Sequence, residues 1–338
     1  MQKKALKIGV ILAIGLMIYC GKYWSSELRK IKDDTDPSMD YEKMAEQENE
    51  NISHFIIENE ETNATVETKT EKQQERPDKK QLMDGIKKQV KIDREKLKDY
   101  NYLCENFYQI DSSTSISSKQ LNAEKFMKMD MSLDMSVKGP QILIYHTHSQ
   151  EEYKGKGTRK ENSVVAVGDY LTELLEKRGF SVMHHKGEYD VGGRDHAYSR
   201  ALPKIQKILK DNPSIQLVID LHRDGISDDI HFVTDINGKK TAKIMFFNGL
   251  SYTNSMGNID YLRNPYKENN LALSFLLHLA AEEYYPGLTR RIYLKGYRYN
   301  MHLCSKSILV EVGAQTNTTE EAKNAMVPLA NILTKVLK

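Results

Sequence analysis

Apolar and polar positions alternate along the second half of the chain in blocks whose lengths fit strands and helices in turn. Residues 142–145 form a short apolar run after Gly139 and Pro140, and the run ends abruptly in two histidines. Its length and its β-branched and aromatic content predict a buried strand. The next block follows residues 161–163, shows one apolar face and stops at Gly179, which predicts an amphipathic helix.

The same alternation continues to the C-terminus. Further strands are predicted at residues 180–183, 215–219, 242–247 and 307–310. Three further helices are predicted. The first has Pro203 in its first turn and ends at about residue 210, the second covers residues 269–284, and the third follows the capping box of residues 318–321. Strands that alternate with helices predict an α/β fold in which helices flank a mostly parallel sheet.

The first 135 residues have a different pattern. In residues 1–24, lysines precede an apolar run with no small-residue cleavage site after it, which predicts an uncleaved membrane anchor whose N-terminus is cytoplasmic. Residues 25–80 are polar and charged, and they predict a disordered tether. The pattern of residues 81–135 predicts a partly helical, partly irregular segment that leads into the folded domain, with a short strand near residues 107–110. We call this segment the lead-in. The main folded domain is predicted at residues 136–338.

Composition narrows the function classes. The chain has 338 residues, of which 39% are hydrophobic, enough for one sizeable core or two small ones. A net charge of +2 is nearly balanced, so nucleic acid is not indicated as a partner. The mean hydropathy of −0.60 is low and agrees with a long polar segment. Cys20, Cys104 and Cys304 lie far apart, which indicates neither a disulfide framework nor a thiolate zinc site.

Ionisable side chains stand where the predicted strands end. His146 and His148 follow the first strand, His222 follows the strand of residues 215–219, and Glu311 follows the strand of residues 307–310. Glu161 stands at a predicted helix N-terminus, where a carboxylate is favoured. Two histidines and one carboxylate around an open fourth position are the ligands of a catalytic zinc, and a second carboxylate would serve as general base. The alternative is that these groups make only structural hydrogen bonds.

Residues 143–337 resemble the zinc-dependent N-acetylmuramoyl-L-alanine amidases. The resemblance lies in four motifs that follow one another along the chain. His148 stands three residues after the end of a predicted strand, and Glu161 precedes a helix that ends in Leu175-Glu176-Lys177-Arg178-Gly179. His222 closes a later strand, and the last motif is Val310-Glu311-Val312-Gly313 followed by Asn317. It implies His148, Glu161 and His222 as Zn²⁺ ligands and Glu311 as the catalytic residue. It makes residues 136–338 the catalytic domain.

Among these amidases, the chain is most similar to the stage II sporulation protein P family. The similarity lies in residues 145–149 (Tyr-His-Thr-His-Ser), 164–169, 220–224 (Asp-Leu-His-Arg-Asp), 299–300 and 310–313. His146 and the Arg223-Asp224 pair depart from the general amidase pattern, which leaves open which histidine of the first pair binds zinc. We predict that His148 is the ligand and that His146 supports the ligands by hydrogen bonding or contacts substrate.

The resemblance implies a peptidoglycan hydrolase, anchored in the cell membrane by one helix, that works on the outer face during engulfment in sporulation. It would remove stem peptides from glycan, and endopeptidase cleavage of cross-links is left open. Stage II sporulation proteins D and M are the implied partners. Further candidates for contacts with substrate or with the ligands are Arg223, Asp224, Arg194, Arg298 and His302. Two rival hypotheses are a catalytically silent peptidoglycan-binding module and a zinc peptidase of other specificity.

Overall fold

The computed structural model describes residues 87–338, and the structural statements below concern that part of the chain. The predicted membrane anchor, the tether and the first residues of the lead-in lie outside the described residues. Between residues 87 and 338, no helix has the length and apolar character needed to cross a membrane.

A seven-stranded sheet forms the centre of the fold, with strand order β1-β10-β7-β11-β4-β2-β3. Its strands are β1 (Tyr108–Ile110), β2 (Ile142–Tyr145), β3 (Val182–His184), β4 (Leu217–Asp224), β7 (Ile244–Gly249), β10 (Ile292–Lys295) and β11 (Ser307–Ala314). Strands β11, β4, β2 and β3 run parallel to one another, and so do β7, β10 and β1. The two groups meet at the antiparallel pair β11 and β7. The predicted mostly parallel sheet is therefore confirmed, with one reversal of direction.

Helices cover both faces of this sheet. They are α1 (Tyr100–Asn106), α2 (Ala123–Phe126), α3 (Val164–Lys177), α4 (Ala197–Asp211), α5 (Lys267–Tyr284) and α6 (Thr319–Leu337). The apolar faces of α3, α5 and α6 pack with β-strand side chains such as Ile219 and Val310 into the main core. Helix α4 covers the opposite face, where Leu143 and Val218 pack against Ala201. Burying both faces of a sheet under helices is the usual arrangement for parallel strands.

Two short hairpins complete the described part of the chain. They are β5 (Val233–Ile236) with β6 (Lys239–Ala242), and β8 (Tyr252–Thr253) with β9 (Gly257–Asn258).

Helix ends follow the local sequence. Thr318 and Glu321 form the predicted capping box of α6, and the Ser163 side chain accepts a hydrogen bond from Ala166 N at the start of α3. Pro203 was expected in the first turn of its helix, but α4 begins at Ala197, so Pro203 lies inside it. The residue before α4, His196, makes no side-chain capping hydrogen bond, so the sequence has no capping signal at the true start of this helix.

The N-terminal lead-in takes part in the sheet. Its predicted strand is confirmed as β1, which pairs in parallel with β10 in a register that sets Tyr108 opposite Ile292. The preceding residues Leu97 and Leu103 are buried in the main core. Described residues of the lead-in therefore pack together with residues 136–338.

Candidate active site

Three strands of the parallel group bring ionisable side chains to one place. His148 lies in the turn after β2, while β4 is longer than predicted and continues through His222. Glu311 lies within β11 and is directly opposite His222 in the parallel register of β11 and β4. The structure thus brings these three residues together, although His222 and Glu311 lie inside strands that are longer than predicted and not at their ends.

His148 and His222 are buried neighbours. Their ring centroids lie 5.3 Å apart at an interplanar angle of 76°. His148 Nδ1 lies 3.7 Å from Asp190 Oδ2, and His222 Nε2 lies 2.7 Å from Asp220 Oδ1. The latter contact is close but is not aligned as a hydrogen bond, so both ring nitrogens are buried without a hydrogen-bond partner in the described residues. Unsatisfied buried nitrogens are costly, and such atoms are frequent at functional sites.

Glu151 is the carboxylate that the structure brings to these histidines. Its side chain is 2% exposed, and Oε2 lies 3.6 Å from His222 Nδ1. Oε2 also accepts a hydrogen bond from Arg223 N at 2.9 Å, and Oε1 accepts one from Arg194 Nη1 at 3.0 Å. Burial by itself raises the pKa of Glu151, but the nearby His222 ring and the charge of Arg194 outweigh it and lower the pKa to about 2. Glu151 is therefore an anion at neutral pH.

Backbone pairing explains why Glu151 occupies this position. The segment that follows His148 folds back against the residues that precede α3, so that Glu152 bridges Ser163. The Glu151 carbonyl accepts a hydrogen bond from Val164 N, the first residue of α3, at 3.0 Å. Sequence reasoning missed Glu151 because it lies in a polar run without periodicity. The only signal in the sequence is its position three residues after His148.

Glu161 does not join the site. Its carboxylate accepts hydrogen bonds from Thr158 N at 2.7 Å and Thr158 Oγ1 at 2.9 Å on the exposed surface. These bonds lower the pKa of Glu161, the one from the Thr158 backbone most. Glu161 lies in a 3-10 turn, Lys160–Asn162, and α3 begins only at Val164, so its side chain closes a local turn. The expectation that Glu161 stands with His148 and His222 is corrected by this geometry.

The Glu311 side chain is half-buried; its Oε2 atom is buried and has no hydrogen-bond partner among residues 87–338. Burial raises the pKa of Glu311 to about 8, with Glu151, Asp224 and Asp220 adding to the rise and His222 opposing it. A carboxyl group with a pKa near neutrality can both take up and release a proton, as a general base and acid must.

His146 points away from the pair formed by His148 and His222. Its Nδ1 donates to the Leu221 carbonyl at 2.7 Å, and its Nε2 lies 2.8 Å from His184 Nε2. His184 Nδ1 in turn lies 2.9 Å from Asp169 Oδ1. Burial lowers the pKa of His146 to about 3, with the charge of His184 acting in the same direction. The ring is thus neutral and held between β4 and β3, which agrees with a supporting role.

The arginine and histidine candidates occupy different positions. Arg194 lies at the rim with a side chain 58% exposed, and Asp224 Oδ2 binds Arg290 Nη1 at 2.6 Å. Arg223 Nε donates to the Glu152 carbonyl at 3.1 Å. The structure does not place Arg298 and His302 in the cavity lining, and burial lowers the pKa of His302 to about 3.

A cavity of about 420 Å³ opens beside these groups. His148, His222 and Glu311 line one part of it, and Arg290, Tyr293 and Lys295 line another. Tyr198 packs edge-to-face on both His148 and Tyr299, with centroid distances of 5.8 and 5.4 Å, and forms an aromatic wall. The reactive groups are therefore open to a ligand of substantial size.

The donor set fits a zinc ion. Within residues 87–338, no three His, Cys, Asp or Glu side chains already satisfy the geometry of metal ligands. His148 and His222 nevertheless each have a buried ring nitrogen without a hydrogen-bond partner, and the Glu151 anion lies beside His222. Two imidazoles and a carboxylate form a common catalytic zinc set, and His148, Glu151 and His222 are the residues that would hold the ion.

Comparisons with known proteins address the family. A family model described as Stage II sporulation protein P (SpoIIP) matches residues 21–334. The Stage II sporulation protein P of Bacillus subtilis (strain 168) is 27% identical over 215 residues, which cover 58% of this chain and 50% of that protein. The chain thus spans about half the length of that curated relative.

Solved structures of several amidases show a distant likeness. The CwlD amidase from Clostridioides difficile, solved in complex with the GerS lipoprotein, is 13% identical with a TM-score of 0.38, over 58% of this chain and 98% of that chain. The catalytic domain of CwlV from Bacillus (Paenibacillus) polymyxa var. colistinus is 12% identical with a TM-score of 0.33, and the match covers 57% of this chain and 93% of that chain. AmiC2 of Nostoc punctiforme is 12% identical with a TM-score of 0.34, over 59% and 97%. The family match extends over most of the chain, and the chain belongs to the stage II sporulation protein P family.

Proposed function

We propose that this chain is a zinc-dependent peptidoglycan hydrolase that cleaves the amide between N-acetylmuramic acid and the L-alanine of the stem peptide. The observation that carries the proposal is Glu311, a half-buried residue with a buried Oε2 atom, which lies opposite His222 and lines a cavity shared with His148. Membership of the stage II sporulation protein P family supports peptidoglycan as the substrate.

His148, Glu151 and His222 are the residues that would hold zinc. When bound, zinc supplies a Lewis acid that polarises the amide carbonyl and lowers the pKa of the attacking water toward about 7. Asp190 Oδ2 lies 3.7 Å from His148 Nδ1 and Asp220 Oδ1 lies 2.7 Å from His222 Nε2, so two further carboxylates stand beside these rings.

Glu311 carries the proton in the proposed reaction. It accepts a proton from water as the water oxygen bonds to the amide carbon, and it delivers that proton to the alanine nitrogen as the carbon–nitrogen bond breaks. Its pKa of about 8 suits both directions of transfer. Arg194 acts indirectly, since its hydrogen bond to Glu151 holds that carboxylate beside His222.

A muropeptide digest tests the proposed cleavage. Purified peptidoglycan treated with the full chain and zinc should release stem peptides and leave the glycan strands intact. Peptide-to-peptide cuts alone would favour the endopeptidase hypothesis, and absence of any product under zinc-replete conditions would favour the silent binding module. The Glu311→Gln variant is the matched control for contaminating hydrolases.

We also propose that residues 1–24 anchor the chain in the cell membrane, with residues 25–80 as the tether and the domain outside the cytoplasm. The absence of a small-residue cleavage site supports an uncleaved anchor. N-terminal sequencing of protein extracted from membranes should begin at or near Met1. A start near residue 21 or later would contradict the anchor.

Stage II sporulation proteins D and M are the partners that we propose from family membership. Both should co-purify with the full chain from sporulating cells after mild detergent extraction. Recovery of neither protein under conditions that retain the membrane fraction would contradict this part of the proposal.

A further inference from the structure

The cavity continues from the reactive groups onto the half of the sheet that runs in the opposite direction. Its lining includes Met245 and Phe247 of β7, Tyr293 and Lys295 of β10, and Gln109 of β1. Alternate residues of a strand project from the same face, so these side chains form one surface. The register supports this, because Tyr293 is opposite both Phe247 and Gln109. We call this surface, formed by residues 109, 245, 247, 293 and 295, the floor.

Lys295 differs from the other cations that line the cavity. Arg194 pairs with Glu151, and Arg290 pairs with Asp224 while its guanidinium lies 3.8 Å from the centroid of the Phe232 ring. Lys295 is half-buried, and in the described part of the chain no carboxylate oxygen lies within 4.0 Å of its Nζ atom.

Asp111 is an acidic group that feels the charge of Lys295: burial raises its pKa, the hydrogen bonds of Ser113 and Tyr293 lower it, and Lys295 lowers it further. Its carboxylate already accepts hydrogen bonds from Ser113 N, from Ser113 Oγ and from the Tyr293 hydroxyl. These bonds occupy the oxygens of Asp111 on the Ser113 loop and on Tyr293. Lys295 acts on Asp111 through its charge but forms no ion pair with it within 4.0 Å, so the ammonium group can still bind a ligand in the cavity.

The separation between the two ends of the cavity follows from strand register. Glu311 is opposite Met245 of β7, and Lys295 is opposite Gly249, four residues further along the same strand. Strands β11 and β10 are two strand spacings apart. At about 4.8 Å per spacing and about 3.3 Å per residue, the Cα atoms of Glu311 and Lys295 lie about 16 Å apart. An extended peptide of three to four residues spans about 10–14 Å and fits within this distance.

We infer that the floor is a subsite for the carboxylate at the far end of the stem peptide, with Lys295 as the ion-pair partner. The inference rests on the proposed function, because that function places the scissile amide at Glu311 and the peptide across β7 and β10. Tyr293 and Gln109 flank Lys295 on the floor and supply polar groups beside the charge. A peptide that is too short, or that ends in an amide, leaves the lysine without its partner.

Peptide binding tests the subsite separately from cleavage. The probes are a synthetic stem tripeptide that begins with L-alanine and ends in a free carboxylate, and the same tripeptide as its C-terminal amide. Dissociation constants are measured by calorimetry on the full chain in detergent, for the unmodified protein and for Lys295→Met, Lys295→Arg and Lys207→Met. Lys207 is an exposed lysine on α4 that pairs with Asp211, and its variant is the matched control.

The expected result is a coupling between lysine and carboxylate. Lys295→Met should weaken binding of the acid about 10-fold and leave binding of the amide unchanged, as expected for loss of one hydrogen bond between charged groups. Lys295→Arg should retain most of the affinity for the acid tripeptide, and Lys207→Met should retain all of that affinity. Equal effects of Lys295→Met on acid and amide, or no effect on either, would overturn the subsite.

Cleavage by the same preparations separates the two proposals. Release of stem peptides from glycan together with Lys295-independent binding would sustain the amidase and overturn the subsite. Lys295-dependent binding without release of stem peptides would sustain the subsite as a binding site for acidic peptides and overturn the amidase.

Discussion

The two halves of the sheet differ in where they carry their polar groups. In the half formed by β11, β4, β2 and β3, the buried side chains of His148, Glu151 and His222 cluster together, and Glu311 lies opposite His222. In the half formed by β7, β10 and β1, polar side chains are spaced along one face and reach an open cavity. The difference agrees with the two proposals, which assign the chemistry to the first half and the binding of an extended ligand to the second.

The junction of the halves is the place where both kinds of site meet. Glu311 pairs with His222 of β4 on one side and with Met245 of β7 on the other. A group at this position can act on a bond that one half holds while the remainder of the ligand lies on the other half. Substitutions in the first half should therefore change reactivity or metal content, and substitutions in the second should change affinity or stability.

The largest expected effect is that of Glu311→Gln. The amide cannot take up the water proton, so hydrolysis of peptidoglycan should fall about 10²–10⁴-fold while zinc content and fold are retained. Release of stem peptides, zinc per chain and circular dichroism are measured together. Glu320→Gln, in the exposed first turn of α6, is the control. Loss of stoichiometric zinc in Glu311→Gln would instead make Glu311 a ligand.

A comparison of Glu151→Ala with Glu161→Ala separates the structural assignment from the one made by sequence. Glu151 is buried beside His222, whereas Glu161 is exposed and bonds Thr158. Zinc affinity should fall more than about 100-fold in Glu151→Ala, because losing a ligand costs more than losing a group that supports one. Glu161→Ala should keep its zinc. The measurement is zinc per chain after dialysis against increasing chelator concentrations. If Glu161→Ala loses zinc while Glu151→Ala keeps it, Glu161 is the ligand.

His146→Ala should have a smaller effect than His148→Ala. His146 holds the Leu221 carbonyl and His184, so its loss should reduce activity or zinc affinity about 10–100-fold. His148→Ala should be purified without zinc. Zinc per chain under zinc-replete conditions is the measurement. If His146→Ala is metal-free while His148→Ala retains about one zinc, the roles of the two histidines are exchanged.

The smallest expected effect lies in β1, at the edge of the second half. The Tyr108 hydroxyl is buried and has no hydrogen-bond partner within residues 87–338. Tyr108→Phe should therefore leave the free energy of unfolding unchanged or raise it by up to about 1 kcal/mol. Tyr100→Phe is the contrast, because it removes a 2.7 Å hydrogen bond to the Ile116 carbonyl and should lower stability by about 1 kcal/mol. Urea unfolding followed by circular dichroism compares them, and equal losses would contradict the expectation.

Sequence alone predicted the elements whose signals are local. The apolar runs of β2 and β11 and the cap residues Ser163 and Thr318 specify strands and helix starts within a few residues of chain. Burial of apolar side chains and satisfaction of helix-end amides are short-range contributions, so they can be read from neighbouring residues. Strand β10 was not predicted, because its four residues carry only two buried apolar side chains and lie between arginines and a glycine.

The composition of the site was decided by long-range contacts. His148, His222 and Glu311 could be predicted because each closely follows an apolar run of the sequence. The choice between Glu151 and Glu161 could not, because it depends on the path of the segment between β2 and α3. That path is fixed by partners distant in sequence: Tyr153 Oη donates to the Val312 carbonyl at 3.0 Å, and Lys154 N donates to the Asn317 carbonyl at 2.8 Å. The reversal at β7 likewise appears only when strands pair, since an apolar run has the same pattern in either direction.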